Sequence, residues 1–363
     1  MTNCAVAGLV GAVSLLAAAG ASAQGVLNVY NWTDYIDPKI LREFEAKTGT
    51  KLRYDTYDSN DVLETKMLAG KTGYDIIVPT STYLARMIGA GVLAPLDKAK
   101  IPNLRHMDEE LMARLARSDP GNVHGVIYLW GTTGIGLNAD KIKARMAKPP
   151  ANSLAMVFDP AIVATFADCG VNFLDAPDEM IPAALRYLGL DPNAKDEASV
   201  AKAEAQLLKV RPFVRKFHSS QYVNDLANGD ICLAFGWSGD ILQAKARAEE
   251  AKNGVRVQYL LPKEGALQWF DVMAIPKDAP NQAAAHAFID FLMTPEIAAR
   301  LSTAVQYPNG NKASLPFVPR EAMEDKDVWP RAEAMKSLYT VTPNTQAQQR
   351  VFTRTWTKVK AGL

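Results

Sequence analysis

Charge of one sign, histidine and cysteine are all scarce in this chain. Its 40 Lys and Arg stand against 39 Asp and Glu, leaving a formal net charge of +1. That balance gives no general attraction to nucleic acid or to an anionic membrane. No Lys/Arg block interleaved with aromatics occurs, and no internal repeat or low-complexity segment. The four histidines (His106, His124, His218, His286) are scattered, and no Cys/His spacing fits a metal site, so neither metal nor cofactor is expected. The glycine-richest segment, Gly131-Thr132-Thr133-Gly134-Ile135-Gly136, matches neither the P-loop nor the dinucleotide fingerprint. It reads instead as a strand crossing between lobes, where glycine allows close backbone approach. No GxSxG nucleophile motif is present.

What is there is an ordinary globular composition, 48% hydrophobic and 22% charged over 363 residues, long enough for two domains. Ala5 to Ala19 is almost wholly apolar, and Ala21-Ser22-Ala23 offers small residues before Gln24. Residues 1–23 are therefore expected to be a secretory signal peptide, too short for a stable span, although no Lys or Arg precedes the apolar run. No membrane insertion is expected after its cleavage. Cys4 leaves with it, and Cys169 and Cys232 remain. They form either one disulfide or two buried thiols, and an oxidising compartment with an even count favours the bridge.

Along the chain, apolar runs alternate between strand and helix periods. Val26 to Trp32 begins as a buried strand, and Asp37-Pro38 reads as an N-cap and first helical position. A helix follows to about Lys47 and closes at Gly49. Lys51–Tyr57 alternates as a strand, a helix capped by Asp61 runs to Gly70, and Asp75–Val78 is a short buried strand. Short connections of this kind give a parallel sheet with right-handed crossovers. The rhythm resumes over residues 155–260, where a buried strand, Asp230–Gly236, opens into Trp237-Ser238-Gly239-Asp240 before a helix starting near Ile241. The fold class is thus α/β, with a first lobe from 25–131 plus about 262–300. The second lobe comprises about 132–261 plus about 301–363.

Several segments carry aromatics, hydroxyls or carboxylates at expected sheet ends, where open α/β sheets bind ligands. They are Trp32/Thr33/Asp34/Tyr35, Thr80 to Thr82/Tyr83, Glu179, Trp237/Asp240 and Trp269/Asp271, with Tyr307 as a further contributor. Taken singly, each acid is more often a solvated loop residue or a helix cap. Repeated in loops of one type without basic partners nearby, the acids want a cation from outside. Aromatic faces attract that cation and cover methylenes. The implied ligand is a di- or polyamine. Two alternatives are a secreted hydrolase using paired carboxylates and a receptor for another cation or an amino acid. An amino acid would need an Arg or a helix N-terminus for its carboxylate, and these loops contain no Arg apart from Arg86, one turn beyond.

The segments Tyr30-Asn31-Trp32-Thr33-Asp34-Tyr35, Tyr74-Asp75-Ile76-Ile77-Val78-Pro79, Phe217-His218-Ser219-Ser220 and Gly236-Trp237-Ser238-Gly239-Asp240 together resemble the periplasmic polyamine-binding proteins. These are substrate-binding components of ABC importers, and the similarity runs over the mature chain. The resemblance implies a two-lobed type II periplasmic solute-binding fold, each lobe a mainly parallel sheet flanked by helices, with ligand in the cleft between them. It implies no enzymatic activity, a monomer, an inner-membrane ABC permease as partner, and the Cys169–Cys232 disulfide. It further implies that Asp240 and Asp271 hold one amine while Asp34 and Glu179 serve the other end. Trp269, where putrescine binders commonly carry Phe, and Thr33, where Ser is frequent, lean toward spermidine. Thr82 and Ala176 lack groups that one branch of spermidine binders uses.

Overall fold

The computed structural model describes Met1 and residues 25–363; the rest of the expected signal segment, Cys4 included, lies outside the described residues. Among the described residues, nine strands make one long sheet: β1 (Val26–Trp32), β2 (Lys51–Tyr57), β3 (Ile76–Ile77), β4 (Gly125–Asn138), β5 (Val171–Phe173), β6 (Lys216–Phe217), β7 (Leu233–Trp237), β8 (Val257–Leu260) and β9 (Leu267–Ala274). Their order is β2-β1-β3-β9-β4-β7-β5-β6, with β8 also on β4. Pairing is parallel among β1, β2 and β3 and among β5, β6 and β7. It is antiparallel wherever β9 or β4 takes part. The 14-residue β4 is buried throughout and serves both halves. Gly125–Thr133 pairs with β9, and Thr133–Leu137 pairs with β7.

Two separate apolar cores flank that crossing. The first gathers Leu27, Ile40, Phe44, Ile77, Met273 and Phe288, and the second Phe158, Phe173, Leu207, Phe235 and Trp356. Burying a side chain of this size contributes about 1.5–3 kcal/mol. Trp237 packs against both cores, which places it on the seam. The molecule is a two-lobed α/β fold. The expected return to the second lobe at about 301 falls too early. Leu301, Val305 and Tyr307 pack in the first core, and Val328, Phe352, Trp356 and Val359 join the second.

Local signals act largely as the residues dictate. The Asp37 carboxylate accepts from Lys39 N at 2.8 Å, Pro38 opens the helix Pro38–Thr48, and Gly49 closes it at φ 73°. Two starts differ from expectation. Ser59, not Asp61, caps the helix Asn60–Ala69, because its hydroxyl reaches Asp61 N at 3.2 Å. The helix expected near Ile241 begins at Ser238, directly after β7, so Asp240 lies in its first turn. A disulfide joins Cys169 to Cys232, 63 residues apart, just ahead of β5 and β7. Replacing both cysteines by Ala is expected to cost about 2–4 kcal/mol. Urea melts of the two forms, compared at equal denaturant slope, check this.

Candidate functional site

The site is built where strand ends and two helix starts meet the seam. Trp32 ends β1, and its indole N–H donates to Val78 O at 2.9 Å, which fixes the ring across the end of β3. The chain then turns sharply through Asp34, whose φ of 56° is left-handed, and brings Tyr35 into the interior. On the opposite wall, Glu179 sits in the first turn of the helix Pro177–Tyr187, and Asp240 in the first turn of Ser238–Ala251. Helix N-termini favour negative charge there. Trp269 and Asp271 are not at a sheet end as expected. They lie within β9, opposite Gly131 and Leu129 of β4, because β9 runs across the floor of the cleft.

Three carboxylates are held by neutral donors. Asp271, only 4% exposed, accepts from the Tyr35 hydroxyl at 2.9 Å and the Thr80 hydroxyl at 2.7 Å. Asp240 accepts from Tyr307 at 2.8 Å and Tyr222 at 3.0 Å, and the Tyr307 oxygen in turn accepts from Asp240 N at 3.0 Å. Glu179 accepts from the Trp237 indole at 2.7 Å and from the Thr133 hydroxyl. Hydrogen bonds of this kind orient a carboxylate without neutralising it. Burial pushes Asp271 up to about 7 against the pull of Thr80 and Tyr35, with Glu179 and Asp240 adding repulsion. Glu179 rises to about 7 and Asp240 to about 6, again chiefly through burial.

Aromatic rings close the walls edge to face. Ring centroids stand 5.5 Å apart for Trp32–Trp237, 5.4 Å for Trp269–Tyr307 and 5.3 Å for Tyr35–Tyr307. Two glycines make room for them. A Cβ on Gly131 would come within 2.6 Å of the Trp269 ring, and one on Gly239 would collide with Tyr307.

The cleft spans about 550 Å³, part of it open to solvent. Trp32, Thr33, Asp34, Tyr35, Thr80, Glu179, Trp237, Asp240, Trp269, Asp271 and Tyr307 all line it, so eleven expected residues from distant segments converge. Thr82 and Tyr83 do not. They stand past the helix start at Ser81 and face a second chamber. The Tyr83 hydroxyl is taken up by Asp178 at 2.5 Å and Asp61 at 3.2 Å. Asp34 also departs from expectation, because a basic partner arrives from the other lobe. Arg247 meets it at 2.7 Å in a half-exposed pair. Tyr57, Asp58, Ser219, Ser220, Val223 and Gln243 line the cleft as well, and Tyr222 braces Asp240. None of these was assigned a binding role from sequence. Ser219 and Ser220 belong to a segment that carried the resemblance, whereas Tyr222 looks like any buried helix residue. Among the described residues, no group of three or more His, Cys, Asp or Glu is placed to hold a metal ion.

Two lobes joined by crossing strands, with a polar and aromatic cleft at the seam, define a solute receptor of the type II periplasmic class. The chain belongs to the bacterial extracellular solute-binding proteins, whose family model matches residues 39–336. It is 51% identical over 350 residues to the putrescine-binding periplasmic protein SpuD of Pseudomonas aeruginosa, covering 96% of this chain and 95% of that one. It is 47% identical over 344 residues to the putrescine-binding periplasmic protein PotF of Escherichia coli, covering 94% and 93%. Among solved structures, the spermidine/putrescine ABC transporter substrate-binding protein PotD of Streptococcus pneumoniae superimposes with a TM-score of 0.74 at 28% identity, covering 93% and 99%. These relatives bear out the resemblance to periplasmic polyamine-binding proteins.

Proposed function

We propose that this protein captures putrescine, or a diamine close to it, in the periplasm and delivers it to an inner-membrane ABC permease. The observation that carries the reading is the trio Asp240, Asp271 and Glu179. Asp271 is buried and Asp240 and Glu179 are half-buried, and all three are hydrogen-bonded to hydroxyls or an indole. Among the described residues, no Lys or Arg lines the cleft beside them, Arg247 being paired with Asp34. A charge buried unpaired is costly, so the site is incomplete without an ammonium group. Flat rings around it suit methylenes and cations alike. The 51% and 47% identical relatives are named for putrescine, which supports the smaller amine.

The lean toward spermidine does not gain comparable support. Relatives with spermidine in their names are 31–32% identical. The two residues behind the lean also have reasons within the fold. The Thr33 hydroxyl turns to Tyr57 O at 3.3 Å, and the larger ring of Trp269 is accommodated over Gly131. Calorimetry on ligand-stripped protein is expected to give putrescine at least tenfold tighter than spermidine, about 1.4 kcal/mol. The reverse order overturns the choice of amine. The ligand is expected back unchanged after long incubation, since the protein is a carrier and not an enzyme.

Ligand bridging the lobes favours the closed form, with β4 and the β8–β9 connection as the crossings about which they move. The closed face then meets the permease as a monomer. Among the described residues, no helix is long and apolar enough to cross a membrane.

A further inference from the structure

Tyr83 stands away from the ligand cleft, yet its hydroxyl joins the two lobes. It belongs to the helix Ser81–Gly89, whose Leu84 and Met87 pack in the first core, and it is 4% exposed. The hydroxyl donates at 2.5 Å to Asp178, in the first turn of the helix Pro177–Tyr187, whose Met180 and Ile181 pack in the second core. Arg86 fixes the ring, with its guanidinium 3.8 Å from the ring centroid and held by Glu64 through two nitrogens at 2.7 Å each. The same arginine reaches the second lobe, donating to Gln349 of the helix Gln346–Ala361 at 2.7 Å and standing 3.8 Å from Asp178. Asn344 and Gln349 donate to Asp178 at 2.7 and 3.3 Å and hold it in place.

A second carboxylate opposes this contact. Asp61, beside Tyr83 on the first lobe, lies 3.2 Å from the same hydroxyl. One hydroxyl proton serves one acceptor, so Asp61 faces Asp178 across the lobe boundary as a like charge. Burial, and next the Asp178 charge, push Asp61 up to about 6 against the pull of Tyr83 and Arg86, and Glu64 adds a smaller repulsion. We propose that this junction is a clasp that sets how readily the lobes close. Tyr83 draws Asp178 in, Asp61 holds it off, and the balance fixes the affinity for every ligand of the cleft without choosing among them. Apparent affinity scales with the fraction of protein in the binding-competent form. Tyr83 and Asp61 are thus positioning residues, and their role rests on the closure reading above. The Asp34–Arg247 pair also crosses between lobes, but it is half-exposed, and such pairs contribute little.

The test is calorimetry at pH 8, where Asp61 is ionised, with putrescine and the five-carbon diamine cadaverine on the wild type, Tyr83→Phe and Asp61→Asn. Tyr83→Phe removes only the hydroxyl and is expected to weaken both diamines by about tenfold. Asp61→Asn replaces the opposing charge by an amide that donates to the Tyr83 oxygen, and it is expected to tighten both by about threefold or more. Within each variant the two diamines shift by the same factor, to within about twofold. Damage to the fold would not raise affinity, and ligand-free melting curves check that both variants are folded. Unchanged affinity in Tyr83→Phe, no gain in Asp61→Asn, or a shift that differs between the diamines overturns the clasp and leaves the diamine reading standing. If neither diamine binds the wild type, the diamine reading falls, and small-angle X-ray scattering of the ligand-free variants decides the clasp. A smaller radius of gyration for Asp61→Asn than for Tyr83→Phe upholds it, and equal radii overturn it.

Discussion

Asp271→Asn is expected to weaken diamine binding by roughly two to four orders of magnitude, from the 3–5 kcal/mol that truncating one side of a buried charge pair costs. The amide keeps the volume of the carboxylate, and its one oxygen can still accept from Tyr35 or from Thr80, which donate to different oxygens of Asp271, while the other hydroxyl can turn to accept from the new NH2. What disappears is the negative charge. Asp240→Asn is expected to behave in the same way, because Tyr307 and Tyr222 stay in place around it. The ligand-free variants should melt no lower than the wild type. Burial already holds both acids above the usual carboxylate range, so removing either charge relieves the empty protein. Calorimetry and melting curves on the two variants separate loss of charge from loss of fold. An affinity within about threefold of wild type in both would refute an ammonium–carboxylate core to the site.

A second large effect follows from the same burial. In the ligand-free protein Asp271 and Glu179 lie near 7 and Asp240 near 6, all raised above their ordinary values. An ammonium group beside them favours the ionised form. Binding therefore expels protons wherever the empty site still holds them. Affinity is full above about pH 7 and declines as the pH drops through 7 and 6, approaching a factor of about ten per unit for each acid that must lose its proton. Stability of the empty protein runs the other way. The folded state holds these protons more tightly than the unfolded chain does, so the three groups add stability as the pH falls from about 7 toward 4. Titrations at pH 6 and 8 in buffers of different ionisation enthalpy count the protons released. A flat profile across that range would show that the acids are already ionised before ligand arrives.

Much of this arrangement was legible in the residues because its signals are local. Asp37-Pro38 followed by Gly49 marks a helix with few alternatives, and the glycines of β4 announce a strand approached closely from both sides. The convergence of Trp32, Glu179, Asp240 and Asp271 could be anticipated from their recurrence in similar settings, though not their partners. Tyr222, Thr133 and Arg247 reach the site through tertiary packing, and nothing next to them in sequence distinguishes them from ordinary helix and strand residues. Asp34 shows the limit most clearly. Its basic partner stands 213 residues away on the other lobe, where no inspection of a single loop would find it. The same holds for Trp269 and Asp271, placed by strand pairing within a sheet and not at its end.

The position of β9 has a consequence for how the polypeptide matures. It is central to the first lobe's sheet, lying between β3 and β4, yet it is synthesised after every strand of the second lobe. Chains emerge from their N-terminus. The opening 130 or so residues, roughly a domain's worth, thus appear with a slot in the middle of their sheet and raw strand margins on either side of it. Such margins invite pairing with neighbouring chains. The earlier-made half must wait, unfinished, for the later-made half to pass before its last piece arrives, so guarding the nascent chain over that interval matters as much to its yield as the final packing does.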